Sequence, residues 1–452
     1  MKNNKIQSLG IILLTTIIMC SASVSIHADD SIYIPIPSYR VGPYAAGGTG
    51  YFGGKIDYFN LLNQRDGGIN GVKLNWSECE TEYSVERGVE CYTRMKDKNN
   101  GALFFDSLSV GINTSLTERA TNDKIPLVLP NGGKTEGQDG EVFPYLFHLG
   151  INTFDEVTVM LAFIGQQEGG MQNLKDKKIV TLYHGSPYGR EANNFLDSYS
   201  EKYGYSHHPI EVAHPGIEQQ SQWLKIRKLN PDWVLLRGWG IMNPVAMQSA
   251  KRSGFPVSRI IGNIWSGSDE DVIPAGAAAD GYHALTTNPS GIDHKVIQEI
   301  IDIVYQSGDG NLADKSRIGS VYWNLGVMSA IYQTEAIRVA MKRFGNRPIT
   351  SVEYRWGLEN LKLDLTQLTA LGAENLVPPI NITCKDHTGG HLAKIQQWDA
   401  SNRRWNIVTN WIEGDVDAYI SKIEEDANKY AVDNNITKRD CDNPSDRDDW
   451  DL

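Results

Sequence analysis

Strand-like and helix-like segments alternate along most of this chain, and that alternation restricts its fold more than any single motif. Ser31–Pro37 reads as a strand, and Phe52, Ile56, Phe59 and Asn63 then fall at helical spacing across Tyr51–Asn63. A strand at Val72–Trp76, a helix from near Ser84, a strand at Ala102–Phe105, a helix near Thr114–Asn122 and a strand at Pro126–Leu129 complete a first series. A second series runs through helix Asp155–Glu168, strand Lys178–Leu182, helices Arg190–Tyr203 and Gln219–Leu229, strand Trp233–Leu236, helix Pro244–Ser253 and strand Arg259–Ile261. Strands separated by helices of roughly 10–15 residues predict parallel sheets with helical crossovers. Two such series predict an α/β protein of two doubly wound parallel-sheet lobes. The last third adds a long amphipathic helix over Trp323–Lys342, an antiparallel hairpin over Gly389–Val408 and an exposed helix over Asp415–Ala431. Residues 439–452 carry six Asp and read as a loose acidic tail.

The first 28 residues read as an address, not as part of the fold. Lys2 and Lys5 precede the apolar run Leu9–Met19, and small residues lead to Ala28 just before Asp29-Asp30. That run is about half of the roughly 20 residues a membrane span needs, so a secretory signal cleaved after Ala28 is expected. Cys20 also invites lipid attachment, although Met19 stands where that processing wants a small side chain. Export leaves an acidic chain, since removing Lys2 and Lys5 takes the net charge from -12 to -14. Neither nucleic acid nor an anionic membrane surface finds a complementary face on such a chain. Four cysteines remain, Cys79, Cys91, Cys384 and Cys441, an even number that fits disulfides in an oxidising compartment. A strand and its following helix lie side by side, which favours Cys79–Cys91 and leaves Cys384 with Cys441; free buried cysteines are the alternative.

Open parallel sheets bind ligands at the carboxyl ends of their strands. The first series delivers Tyr39, Arg40 and Tyr44 there, then Asp106, Ser107 and Ser109, then Asn131, Gly132 and Gly133. The second delivers Tyr183, His184, Ser186 and Tyr188, then Arg237 and Trp239, then Asn263 and Trp265. Small hydroxyls and backbone N–H groups on one side, with aromatics on the other, suit clamping a small anionic or zwitterionic molecule. Arg40 and Arg237 could also counter an anion. Enzyme signatures fail in turn. Gly185-Ser-Pro-Tyr-Gly189 lacks the spacing of a nucleophile elbow, and Gly47-Gly-Thr-Gly50 completes no phosphate-binding motif and reads as a turn. His387 and His391 lack an adjacent Glu, and His207, His208 and His214 read as loop surface. No enzyme, metal or cofactor is expected.

Arg40-Val-Gly-Pro-Tyr-Ala45, Asn63-Gln-Arg-Asp-Gly-Gly-Ile-Asn-Gly71 and Tyr183-His-Gly-Ser-Pro-Tyr-Gly189 together resemble the type I periplasmic solute-binding proteins, in the leucine/isoleucine/valine branch serving ABC importers. The resemblance runs from about Ile32 to Trp411. It implies two lobes joined by three crossing strands, near Phe147–Asn152, Ala284–Asn288 and Thr383–Gly389, that close on a ligand like a hinge. The lobes would then be residues 29–150 with 289–382 and residues 151–288 with 383–410, followed by a C-terminal helix over 411–438. It implies a periplasmic monomer that captures a branched-chain amino acid or related small carboxylate and hands it to permease subunits in the inner membrane. A signalling receptor's sensing subunit is the alternative. The implied ligand-binding residues are Tyr44, Ser107, Ser109, Asn131, Gly133, Tyr188, Trp239 and Trp265. One departure stands out. Where the family holds the ligand's ammonium with an acidic side chain, this chain has Ile264-Trp265-Ser266, and Asp269 and Glu270 come several residues late. An aromatic or other amine-free acid therefore competes with an amino acid as ligand.

Overall fold

The computed structural model describes residues 31–443, so the N-terminal address and most of the acidic tail lie outside the described residues. Strands β1 (Ile32–Ile36) and β2 (Leu74–Glu78) pair in parallel, as do β3 (Leu127–Pro130) and β4 (Leu146–Leu149). The expected strand at Ala102–Phe105 does not form a ladder. It is an extended segment bridging the two pairs, with Leu103 N–H on Tyr33 O and Phe105 bonded beside Leu127. Around these strands pack α1 (Ala45–Arg65), α2 (Val85–Met95) and α3 (Val110–Asp123).

The second lobe is one eight-stranded sheet. Its parallel part runs β9 (His283–Thr286), β8 (Ile260–Gly262), β7 (Trp233–Arg237), β5 (Lys178–His184) and β6 (Ser206–Val212). Helix α4 (Thr153–Gln167) leads into it from β4, with Asn152 and Asp155 forming a reciprocal capping box. In the last third, β10 (Lys362–Leu363) and β11 (Ile380–Asn381) form a short antiparallel pair. The hairpin of β12 (Leu392–Asp399) and β13 (Arg404–Ile407) then joins β9 antiparallel, with β14 (Ile412–Glu413) beside β12. The closing helix spans Val416–Asp433. β6 was not expected, and His207 and His208 lie on it, not in a loop. It is an edge strand whose outer face is polar and which contains Pro209, so its alternation is faint.

Gly47–Gly50 is not a turn either; it forms the first turns of α1. Glycine is tolerated there because the helix must approach its neighbours closely. A Cβ at Gly48 would meet the Tyr39 carbonyl, and one at Gly54 the Trp323 carbonyl. Gly326, on the helix Val321–Phe344, would meet the Tyr51 carbonyl in the same way, so the two helices touch backbone to backbone. This packing centres the first lobe's core on Trp323, Phe52 and Phe59, all fully buried.

The chain passes between the lobes three times, after β4, after β9 and before β12. Two of these passages are hydrogen-bonded to each other, His148 N–H to His387 O at 2.9 Å and Gly150 N–H to Thr388 O at 3.1 Å. Both disulfides form, Cys79–Cys91 and Cys384–Cys441, with Cα separations of 5.9 and 5.7 Å. The second ties down the start of the tail, where Arg439 also pairs with the buried Glu359. The described part of that tail is therefore anchored, not loose.

Candidate functional site

A narrow cavity lies between the lobes, at the carboxyl ends of the strands. The first lobe supplies the turn after β3 (Asn131, Gly132, Gly133), Leu129, the entrance to α3 (Leu108, Val110) and Tyr83. The second supplies Tyr188 after β5, Trp239 after β7 and Trp265 after β8. Five of the eight implied ligand-binding residues, Asn131, Gly133, Tyr188, Trp239 and Trp265, thus meet around one space.

The turn after β3 is fixed by its own asparagine. Asn131 has φ 48°, a left-handed conformation that Asn tolerates better than most residues. Its Oδ1 accepts from Ile151 N–H at 3.3 Å, and its Nδ2 donates to Thr287 Oγ1 at 3.2 Å. The side chain is therefore engaged with two of the three interlobe passages, and what the turn leaves free is backbone. Gly132 and Gly133 N–H have no acceptor among the described residues.

Ser107 and Ser109 stand behind this wall. Ser107 Oγ donates to Asn113 Oδ1 at 2.8 Å, and Ser109 Oγ caps α3 by accepting from Ile112 N–H at 3.4 Å. The loop that carries them hangs on Asp106, the acidic residue that ends the Ala102–Phe105 segment. Asp106 accepts from Tyr51, Gln333 and the buried Lys55, and its other oxygen accepts from Leu108 N–H at 3.2 Å. The network holds Leu108 at φ 47° against the cavity.

Tyr44 stands outside the cavity and bridges the lobes. Its ring is parallel to that of Trp239 (6°, centroids 6.3 Å apart), and its hydroxyl lies 2.9 Å from His184 Nε2 and 2.5 Å from His214 Nδ1. One proton can serve only one of these contacts, so the hydroxyl donates to one imidazole and accepts from the other. Burial pushes His184 down to about 4, helped by the His214 and Arg190 charges. His214 is thus a cleft residue, not plain loop surface. The six-membered ring of Trp239 packs against Gly47, where a Cβ would collide with it.

Acidic side chains near the cavity are all engaged elsewhere. Glu191 reaches across from the second lobe and accepts from Thr135 N–H and Oγ1, both at 2.6 Å, and from Thr153 Oγ1 at 3.0 Å. Glu156 pairs with Arg237 at 2.8 Å, both fully buried behind Tyr188, so Arg237 is not a free cation at a strand end. Arg40 likewise pairs with Glu78. Glu270 binds Arg317 and Ser320 across the lobes. Asp271 sits behind Trp265 and accepts from Asn243, Tyr322 and Ser268 N–H; burial pushes its carboxyl up to about 7. His387 and His391 bind carboxylates and a carbonyl, and no group of three metal-ligating residues is found among the described residues.

Sequence reasoning missed Tyr83. It follows β2, and its own φ of 62° turns it inward. Applying the strand-end rule to every strand would have found it.

A profile of the periplasmic binding protein family matches residues 31–403. The chain belongs to that family. A crystal structure described as an ABC transporter permease from the Pseudomonas fluorescens group is 44% identical, covers 91% of this chain and all of its own, and superposes with a TM-score of 0.86. A branched-chain amino acid ABC transporter protein from Thermus thermophilus with bound valine shares 20% identity (TM-score 0.73, covering 86% of this chain and 98% of its own). A solute-binding protein from R. palustris in complex with benzoate shares 16% (TM-score 0.65, 85% and 98%). At those identities the last two attest the fold. No curated protein sequence matches the chain. This periplasmic binding protein has the mixed α/β architecture with parallel sheet cores that its relatives share, and no helix among its described residues is long and apolar enough to cross a membrane.

Proposed function

We propose that this periplasmic binding protein is the non-enzymatic substrate-binding component of an ABC importer. It captures a small carboxylate between its lobes in the periplasm and presents it to permease subunits in the inner membrane. The observation that supports this most is the cavity itself, with unengaged backbone N–H groups on the first lobe facing aromatic walls on the second. Such an arrangement suits one end of a small acid on each side. Valine and benzoate, carried by two proteins of the same fold, are both small carboxylates. The interlobe contacts of Glu191, Glu270 and Tyr44 would be made on closure and broken on opening.

Small-angle scattering and mass spectrometry of the secreted chain test this reading. After unfolding and refolding to strip bound solute, the protein should take up one small acid per chain, contract on binding, and return the acid with unchanged mass. Chemical conversion of the solute, or binding without contraction, would overturn it.

A further inference from the structure

We infer that the captured solute is a carboxylate that carries no hydrogen-bonding ammonium, with an uncharged, apolar tail. The inference rests on the cavity being the capture site. The first-lobe wall offers backbone donors beside the Tyr83 hydroxyl, which can donate or accept. Gly132 and Gly133 N–H are without acceptors, and Val110 opens α3, a helix of 14 residues whose positive end therefore faces the same space. Trp239 adds an independent observation. It is 3% exposed, lines the cavity, and its indole Nε1 has no partner among the described residues. An anion is the natural occupant of a space surrounded by unpaired donors.

A cation is not. A buried ammonium requires a charge partner or strong acceptors, and no acidic side chain lines the cavity. The carboxylates nearest to it are held by other donors. Glu191, whose Oε2 abuts Gly133, is held by Thr135 and Thr153, and Asp271 by Asn243 and Tyr322. Glu156 is held through its Oε2 alone, by Arg237 and Asn263, its Oε1 being buried without a partner among the described residues. The Tyr188 hydroxyl, a potential acceptor, already donates to Gly238 O and accepts from Asn263. Aromatic faces could hold a methylated ammonium without hydrogen bonds. Here, however, the Tyr188 ring already faces the Arg237 guanidinium, 5.1 Å from its centroid. Leu108, Val110 and Leu129 make much of the remaining wall aliphatic. The tail that fits is apolar and uncharged.

Matched pairs test this by calorimetry on the refolded, solute-free chain. The pairs are 4-methylpentanoate against leucine and 3-phenylpropanoate against phenylalanine, with benzoate and glycine betaine as further probes. At least one amine-free acid should bind at least 100-fold more tightly than its amino-acid counterpart. Tighter binding of either amino acid, or of glycine betaine, would overturn the inference while leaving capture intact. Binding of none of the six, together with no small molecule released from protein purified from its own periplasm, would overturn the capture reading and this inference with it. A released solute with an N–H ammonium would overturn the inference alone. Trp265→Glu, which puts a carboxylate on the second-lobe wall, should shift the preference at least tenfold toward the amino acid of each pair. An unshifted preference in a variant that retains its melting temperature would count against the inference.

Discussion

Single residues in this protein are constrained mainly by what they must not touch or must not leave unpaired. Lys55 and Asp106 are each 1% exposed, and their pairing also carries Tyr51, Gln333 and the Leu108 backbone. Removing one partner of a buried pair strands the other charge, so Asp106→Ala should lower stability by about 3–5 kcal/mol, read by urea unfolding. Gly47 poses a different constraint. Its Cβ position is taken by Trp239 from the opposite lobe, so the collision exists only while the lobes are together. Gly47→Ala should therefore weaken solute binding by about tenfold or more, equivalent to about 1.4 kcal/mol, measured by calorimetry. A variant that binds normally would show that Trp239 can move aside without loss.

Elements were legible where their burial was simple. The buried parallel strand β7, the mostly buried β5 and the capped helices α2 and α4 lie within a few residues of where alternation and capping residues put them. Three elements departed for physical reasons. The start of α1 is glycine-rich because neighbours crowd it, which in sequence looks like a turn. The Ala102–Phe105 segment has a strand's composition but too few ladder bonds, and β6 has the ladder but an exposed polar face. The disulfides were readable from parity and proximity, and Cys384–Cys441 closes a separation of 57 residues. Replacing both of its cysteines with serine should cost about 2–4 kcal/mol and release the segment around Arg439 to proteolysis. A thiol count on unreduced, denatured protein should find none free among the four.

At the scale of the whole molecule, the passages between lobes carry charge as well as chain. His391, just before β12, lies between Asp155 at 3.0 Å and Asp386 at 3.4 Å, and Tyr419 also bonds to Asp155. Burial opposes its protonation, yet the two carboxylates prevail and raise the imidazole to about 10. Its unfolded value is near 6.5. The stabilisation is thus complete below about pH 6.5 and is lost as the pH climbs through about 10. The melting temperature should fall between pH 7 and 10, and His391→Gln should flatten that fall; an equal fall in the variant would remove His391 as its cause.

By itself the sequence determined the class of fold, the two series of crossovers, the disulfide partners and the strand ends from which a site would be built. Those properties depend on local periodicity and on neighbours along the chain, so a one-dimensional reading reaches them. The tertiary structure decided which strand-end residues share a cavity. It turned Tyr83 inward, bound the Ser107 and Ser109 hydroxyls within their own lobe, and set Tyr44 against two histidines from the other lobe. It also engaged every nearby carboxylate with a donor far away in sequence, such as Glu191 with Thr135 and Asp271 with Tyr322. The character of the cavity is set by which polar groups remain unpaired after folding, and pairing between lobes is a property of three-dimensional proximity that no local pattern encodes.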